Sequence, residues 1–276
     1  MKLNVIFFAF LLFHSCQGQP KFIFDECKSY DLMKPTKVWE MPSDLDEISG
    51  IAVIENQKII CNNDEEGDLF IYDLKNSMIT QTNRFAKKGD YEDIAVKDSI
   101  AFVLRSDGTI FEIENYMDAP QSIKHKTLLT KTDDPEGLFY DALKNRLLIA
   151  CKGNSEKNSK GLRFIYEFLL EDNYFNPKPI FTISRKNIRS KSHFKNKFSP
   201  SGIAIHPITK NIFILSSIGK LLIECTPNGE LQKIYNLNYF YFQQPECISF
   251  DKVGDLFISN EAGGGKANIL KFNYLQ

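Results

Sequence analysis

The chain holds 276 residues, 34 Lys+Arg against 35 Asp+Glu, 43% hydrophobic and 25% charged, the proportions of an ordinary globular protein, which exclude disordered, collagenous and coiled-coil chains. A formal net charge of −1 supplies no long-range field toward nucleic acid or an anionic surface, so no nucleic-acid partner is expected. Six cysteines, none in a C-x-x-C pair, are too dilute for a disulfide scaffold or a zinc site.

Residues 1–15 read as an export signal. Met1 and Lys2 precede the apolar run 3–13 (LNVIFFAFLLF), too short for the roughly 20 residues that a membrane-spanning helix needs. Ser15-Cys16 at the end of that run resembles a lipoprotein processing site, which would make Cys16 the lipid-bearing first residue; cleavage after Gly18 is the alternative. Residues 16–35 then form a spacer, and the expected address is the cell envelope, with membrane attachment through the lipidated N-terminus. Export leaves Cys27, Cys61, Cys151, Cys225 and Cys247, an odd number, so at least one thiol stays unpaired. Cys61, Cys151 and Cys225 end β-like runs and read as small buried hydrophobes, and no catalytic cysteine is expected.

From residue 36 onward one pattern recurs: EISGI, DYEDI, DPEGL, SPSGI and QPECI. Its third position falls at Ser49, Glu92, Glu136, Ser201 and Glu246, spaced 43, 44, 65 and 45 residues apart, a period in the range of β-propeller blades. Each motif leads into an apolar run (GIAVI, DIAV, GLFY, GIAIH, CISF). A second run follows a turn (KIIC, IAFVL, RLLIA, NIFIL, DLFIS), then a third (DLFIYDL, TIFEI, RFIYEFLL, KLLIEC, NILKFN), all of strand length and β-rich composition. More polar fourth strands are expected at 78–85, 122–130, 179–185 and 231–237. The fifth repeat lacks one, and residues 36–41 (TKVWEM), with the lone Trp39, can supply it and close the ring without a free sheet edge. The expected fold is therefore all-β, a five-bladed propeller over residues 36–276. A sixth blade would need a second strand series within the 65-residue interval, which holds one.

The chain resembles the SdiA-regulated family of envelope propellers, distantly related to NHL-repeat proteins. The resemblance spans about residues 36–276 and rests on EISGIAV, GDYEDIAV, DPEGLFYD, SPSGIAIHP, QPECISFD and LFISNE. It implies a five-bladed propeller behind a membrane-anchoring N-terminus and a calcium site near the propeller axis; it implies no particular reaction. Cys247 departs from the pattern, standing where glycine is usual.

The third motif residues precede the innermost strands, so they should converge on one end of the central channel. Asn63, Asp64, Glu65, Asp107, Asn260 and Glu261 flank the ends of the second strands there. Carboxylates crowded in a narrow mouth need protons or a cation, and oxygen-only donors suit Ca²⁺ with its tolerant coordination. The candidate ligands are Glu92, Glu136, Glu246, Glu261 and Asn260. Ser49, Ser201 and Asp93 read as turn caps. The expected function is a calcium-binding module for an unidentified small molecule or envelope protein, acting as a monomer. The alternative is a calcium-dependent hydrolase of an ester, lactone or phosphate with Glu136 and Glu92 as its catalytic carboxylates. Nucleophile elbow, zincin, P-loop and dinucleotide motifs are all missing. The stretch 185–197, with six Lys/Arg and no acid, reads as a solvated insertion loop.

Overall fold

The computed structural model describes residues 26–55, 57–153, 161–192 and 198–275. The expected signal segment and Cys16 lie outside the described residues. A short strand β1 (Lys37–Glu40) is followed by blade one: β2 (Ile48–Ile54), β3 (Lys58–Asn63), β4 (Asp68–Asp73) and β5 (Met78–Arg84). Blade two holds β6 (Tyr91–Lys97), β7 (Ile100–Arg105), β8 (Thr109–Glu114) and β9 (Gln121–Lys126); blade three holds β10 (Pro135–Asp141), β11 (Arg146–Cys151), β12 (Leu162–Leu169) and β13 (Tyr174–Ser184). An α-helix, α1 (Arg185–Ser192), precedes blade four: β14 (Gly202–Ile205), β15 (Ile212–Ser216), β16 (Leu221–Cys225) and β17 (Leu231–Asn236). Blade five consists of β18 (Pro245–Phe250), β19 (Leu256–Asn260) and β20 (Asn268–Phe272), with β1 as its outer strand, giving five antiparallel four-stranded sheets.

The first strands β2, β6, β10, β14 and β18 touch one another in ring order, β18 closing on β2. The strand β1 pairs with β20, Lys37 opposite Lys271 and Glu40 opposite Asn268. This is the closure expected of residues 36–41. Trp39 fastens it on both sides: its ring stacks on Phe257 of blade five at 6.3 Å, and its indole N–H donates to the Leu74 carbonyl of blade one at 2.8 Å.

Burial follows the layering. Middle strands such as β11 (RLLIAC) are buried along their whole length, because a blade covers each face, while the outer β9 (QSIKHK) is almost entirely exposed. The core is therefore a set of inter-blade layers. In one of them Phe213, Leu215 and Leu222 of blade four meet Ile248, Leu256 and Phe272 of blade five.

Two stretches depart from expectation. Within the expected spacer, Tyr30 and Leu32 are buried in the layer between blades four and five, and the Tyr30 hydroxyl donates to the Gly254 carbonyl at 2.7 Å. The packed chain thus begins ahead of the closing strand, because two large apolar side chains find cover there. The basic stretch expected as a loop forms the helix α1 over 185–192, anchored by Ile188, which is buried between blades three and four. Residues 193–197 lie outside the described residues.

On the axis the first strands approach at backbone distance. A Cβ added to Gly50 would lie 2.6 Å from the Ile94 nitrogen and 2.8 Å from Asp93 Cα, and one added to Gly202 would lie 3.0 Å from the Glu246 carbonyl oxygen. Glycine at the fourth motif position therefore sets how closely the blades converge.

Replacing Trp39 with Ala should cost about 3–5 kcal/mol, the usual range for a buried aromatic truncation. Trp39→Phe, which keeps most of the ring and loses the bond to Leu74, should cost about 1 kcal/mol. Chemical denaturation of the two variants measures both values, and equal losses would show that the indole bond, not the packing, holds the closure.

Candidate functional site at the channel mouth

In four blades the first strand breaks register against the second at the motif. The slips fall between Ile48 and Gly50, Tyr91 and Asp93, Pro135 and Gly137, and Pro245 and Ile248. Ser49, Glu92, Glu136 and Glu246 sit in these bulges, and a bulge re-aims the side chain it carries. Instead of alternating into the inter-blade layers, the three glutamates turn to the channel mouth.

They line a pocket of about 470 Å³. Seven carboxylates face it, Asp64, Asp90, Glu92, Asp134, Glu136, Glu246 and Glu261, against two ammonium groups, Lys131 and Lys152. Lys152 Nζ lies 2.7 Å from Glu136 Oε1. The Gln244 amide donates to Glu261, and the Ser217 hydroxyl donates to Glu246 at 3.1 Å.

Burial dominates the electrostatics. It raises Glu92, helped by the charge of Glu136 beside it. It raises Glu136 as well, with Lys152 pulling the other way. Glu246 is raised by the same desolvation. Glu261 is pushed up to about 8 by burial and the Glu246 charge, and Asp64 to about 6 by burial and Glu47. Burial draws the Lys152 ammonium down, but Glu136 outweighs it and holds the group above its ordinary value.

Glu92, Glu136, Glu246 and Glu261 thus share one pocket, as their spacing implies. Asn260 does not join them. It is fully buried within blade five, where its amide donates to the Asn268 side chain at 2.9 Å and the Tyr241 carbonyl at 3.2 Å, and it does not line the pocket. Among the described residues, the group of three whose carboxylate oxygens lie within 4.8 Å of one another is Glu47, Asp64 and Glu261, which shares only Glu261 with the expected ligand set. Asp107 is held by Arg105 at 2.7 Å, outside the pocket.

The two motif serines donate across blade boundaries, Ser49 to the Glu92 carbonyl and Ser201 to the Pro245 carbonyl at 3.1 Å. They staple neighbouring blades rather than cap turns. Asp93 does accept backbone amides, from Ile94 and from Leu138 of the next blade, both at 2.7 Å. Its carboxylate also meets the Cys247 thiol at 3.0 Å.

Sequence reasoning missed Asp90, Asp134 and Lys152. The first two occupy the opening position of the motif, and the repeat alignment would have found them. Lys152 directly follows β11, where the same place in blades one and five carries Asp64 and Glu261. A base among acids breaks that pattern, so it gave no signal.

The profile of the SdiA-regulated family matches residues 110–263, from blade two into blade five. The chain belongs to the SdiA-regulated family. No curated protein matches it. Among solved structures, this SdiA-regulated protein is similar to the glutaminyl cyclase of Myxococcus xanthus, with a TM-score of 0.61 and 9% identity over 88% of this chain and 97% of that one. A luciferin-regenerating enzyme matches at a TM-score of 0.53 and 12% identity over 87% and 95%. A structural genomics protein from Bacteroides thetaiotaomicron matches at 0.54 and 10% over 88% and 74%. At these identities the likeness is one of fold, and it carries no reaction to the SdiA-regulated chain.

The raised carboxylates give a signed pH dependence. The folded SdiA-regulated protein keeps protons on Asp64 and Glu261 up to about pH 6 and about pH 8, while the unfolded chain releases them near pH 4. The folded state then binds more protons than the unfolded one, so stability falls as pH rises from about 4 to about 8. His206, lowered by burial, opposes this as a single group. Melting temperature in chelator should therefore drop between about pH 5 and pH 8; a rise over that window contradicts the burial of these carboxylates.

Proposed function

We propose that this protein is an exported, lipid-anchored propeller that binds Ca²⁺ at its channel mouth and presents that face to a small molecule or an envelope partner. The observation that carries the reading is the charge imbalance of the pocket, seven carboxylates against two ammonium groups. A second observation supports it: Ser106 lines the same pocket, is 6% exposed, and its hydroxyl has no hydrogen-bond partner among the described residues.

The donors fit a hard cation, which takes about six to eight oxygens. Glu261, Asp64 and Glu47, whose oxygens already lie close together, would hold it first. The ion would supply the positive charge that this buried, crowded site lacks, replacing the protons that burial and neighbouring charge hold on Glu261 and Asp64, and would offer its remaining positions to ligand oxygens. Glu92, Glu136 and Glu246 surround Lys152 instead, so the ammonium acts as the built-in counter-ion of that side and competes with added cation through its charge.

Calcium should raise the melting temperature relative to chelator, since an ion that binds the folded state alone stabilises it. Glu261→Gln should remove most of that shift. Lys152→Met, which deletes a positive charge from the pocket, should bind calcium roughly tenfold more tightly. Scanning calorimetry and calcium titration of the three proteins test this; no calcium-dependent shift in the unaltered protein overturns the reading.

The hydrolase alternative has one observation in its favour: Glu92 and Glu136 are raised toward neutrality beside Lys152, the setting of a general acid and base. The expected result is no turnover on a panel of esters, lactones and phosphate esters. Turnover that disappears in a folded Glu136→Gln variant would reverse that choice.

A further inference from the structure

A second pocket, of about 460 Å³, opens beside the acidic mouth between blades four and five, and Lys152, Gln244 and Glu246 belong to both. One wall is the turn joining β15 to β16, which brings Ile218 and Lys220; the other is the segment before β18, which brings Tyr239 and Gln243. Its chemistry differs from that of its neighbour. Lys220 is half-buried, and among the described residues its ammonium has no ion-pair or hydrogen-bond partner. Burial lowers its affinity for the proton, opposed only by the through-space charge of Glu246. A cation withdrawn from water without a bonded partner is costly, and here only the through-space charge of Glu246 offsets part of that cost.

The opposite feature of the pocket is apolar. Tyr239 is 61% exposed and Ile218 48%, and Phe240, next along the same segment, is 74% exposed. Large apolar side chains left open around a concavity with a few polar groups mark a ligand site. The volume suits a small molecule. Charge also selects the anion: Lys152 is committed to Glu136 at 2.7 Å, which leaves Lys220 as the one ammonium of the pocket without a bonded partner among the described residues, and Glu246, which acts on it only through space, disfavours a doubly charged ligand. A singly charged carboxylate fits where a phosphate dianion would be repelled.

We propose that this second pocket binds a small organic carboxylate with an apolar or aromatic arm, the carboxylate on Lys220 and the arm against Tyr239 and Ile218. The site uses none of Glu261, Asp64 and Glu47, the three carboxylates that would hold calcium first, so it is tested in chelator and stands or falls apart from the cation reading. Gln243 adds an amide for a neighbouring polar group of the ligand. The carboxylate could belong to a free organic acid or to the C-terminus of a short peptide, whose chemistry at Lys220 is the same.

The test titrates the full chain in chelator with 3-phenylpropionate, 3-phenylpropanol and 3-phenylpropylamine, followed by calorimetry or ligand-observed NMR. The acid should saturate a single site, and the alcohol and amine should bind at least about tenfold more weakly. Lys220→Met should weaken the acid by about tenfold or more with its melting temperature unchanged or raised, because no bonded partner of the ammonium is lost and the cost of burying it is removed. Tyr239→Ala should weaken acid and alcohol alike. N-acetyl-glycyl-phenylalanine, compared with 3-phenylpropionate, names the source: tighter binding points to peptide C-termini and weaker binding to free acids, and both support the carboxylate. Absence of saturation by the acid up to about 20 mM, equal binding of acid and alcohol, or full binding by Lys220→Met overturns the proposal.

Discussion

Everything at the channel mouth follows from the backbone contact of five first strands on the axis. Gly50, Gly137 and Gly202 leave no room for a Cβ without meeting the next blade within about 3 Å. At the two blades without glycine, Asp93 and Cys247 place side chains in that space, and they bond to each other at 3.0 Å. Asp93 is wholly buried and its carboxyl is pushed up to about 8 by desolvation, against which the amides of Ile94 and Leu138 act. The departure from glycine at Cys247 is thus one half of a matched pair that fills the ring from two blades.

Because the fourth motif residue is held at the axis, the third has to leave the sheet, and the bulges let it do so. The result concentrates like charges where a packed protein normally separates them. The fold tolerates this through desolvation, which keeps protons on Glu261 and Asp64, and through Lys152, which supplies one internal cation. Both are partial remedies, and a metal ion would replace them. The blades themselves do not depend on the mouth: their stability lies in the apolar inter-blade layers and in the closure by β1, with Trp39 touching blades five and one.

The architecture was legible because its signals are repeated. Five motifs at a near-constant period and apolar runs of strand length specify blades independently of any one residue, and the lack of a fourth strand in the last repeat points to residues 36–41. The convergence of Glu92, Glu136, Glu246 and Glu261 was legible for the same reason. What was not legible depends on contacts rather than period. Asn260 turns into blade five because the Asn268 side chain and the Tyr241 carbonyl accept from its amide there. Tyr30 and Leu32, outside the repeat, are held by the layer between blades four and five. Lys152 and Lys220 each occur once, and their importance comes from neighbours supplied by other blades.

Whether the crowded carboxylates of the mouth are a cation site is measured most directly by a crystal structure from calcium-containing medium with anomalous data. One strong peak is expected at the mouth, within coordinating distance of Glu261 and Asp64, with Lys152 still on Glu136. A mouth holding only water in saturating calcium, with its carboxylates paired to one another through shared protons, would contradict it.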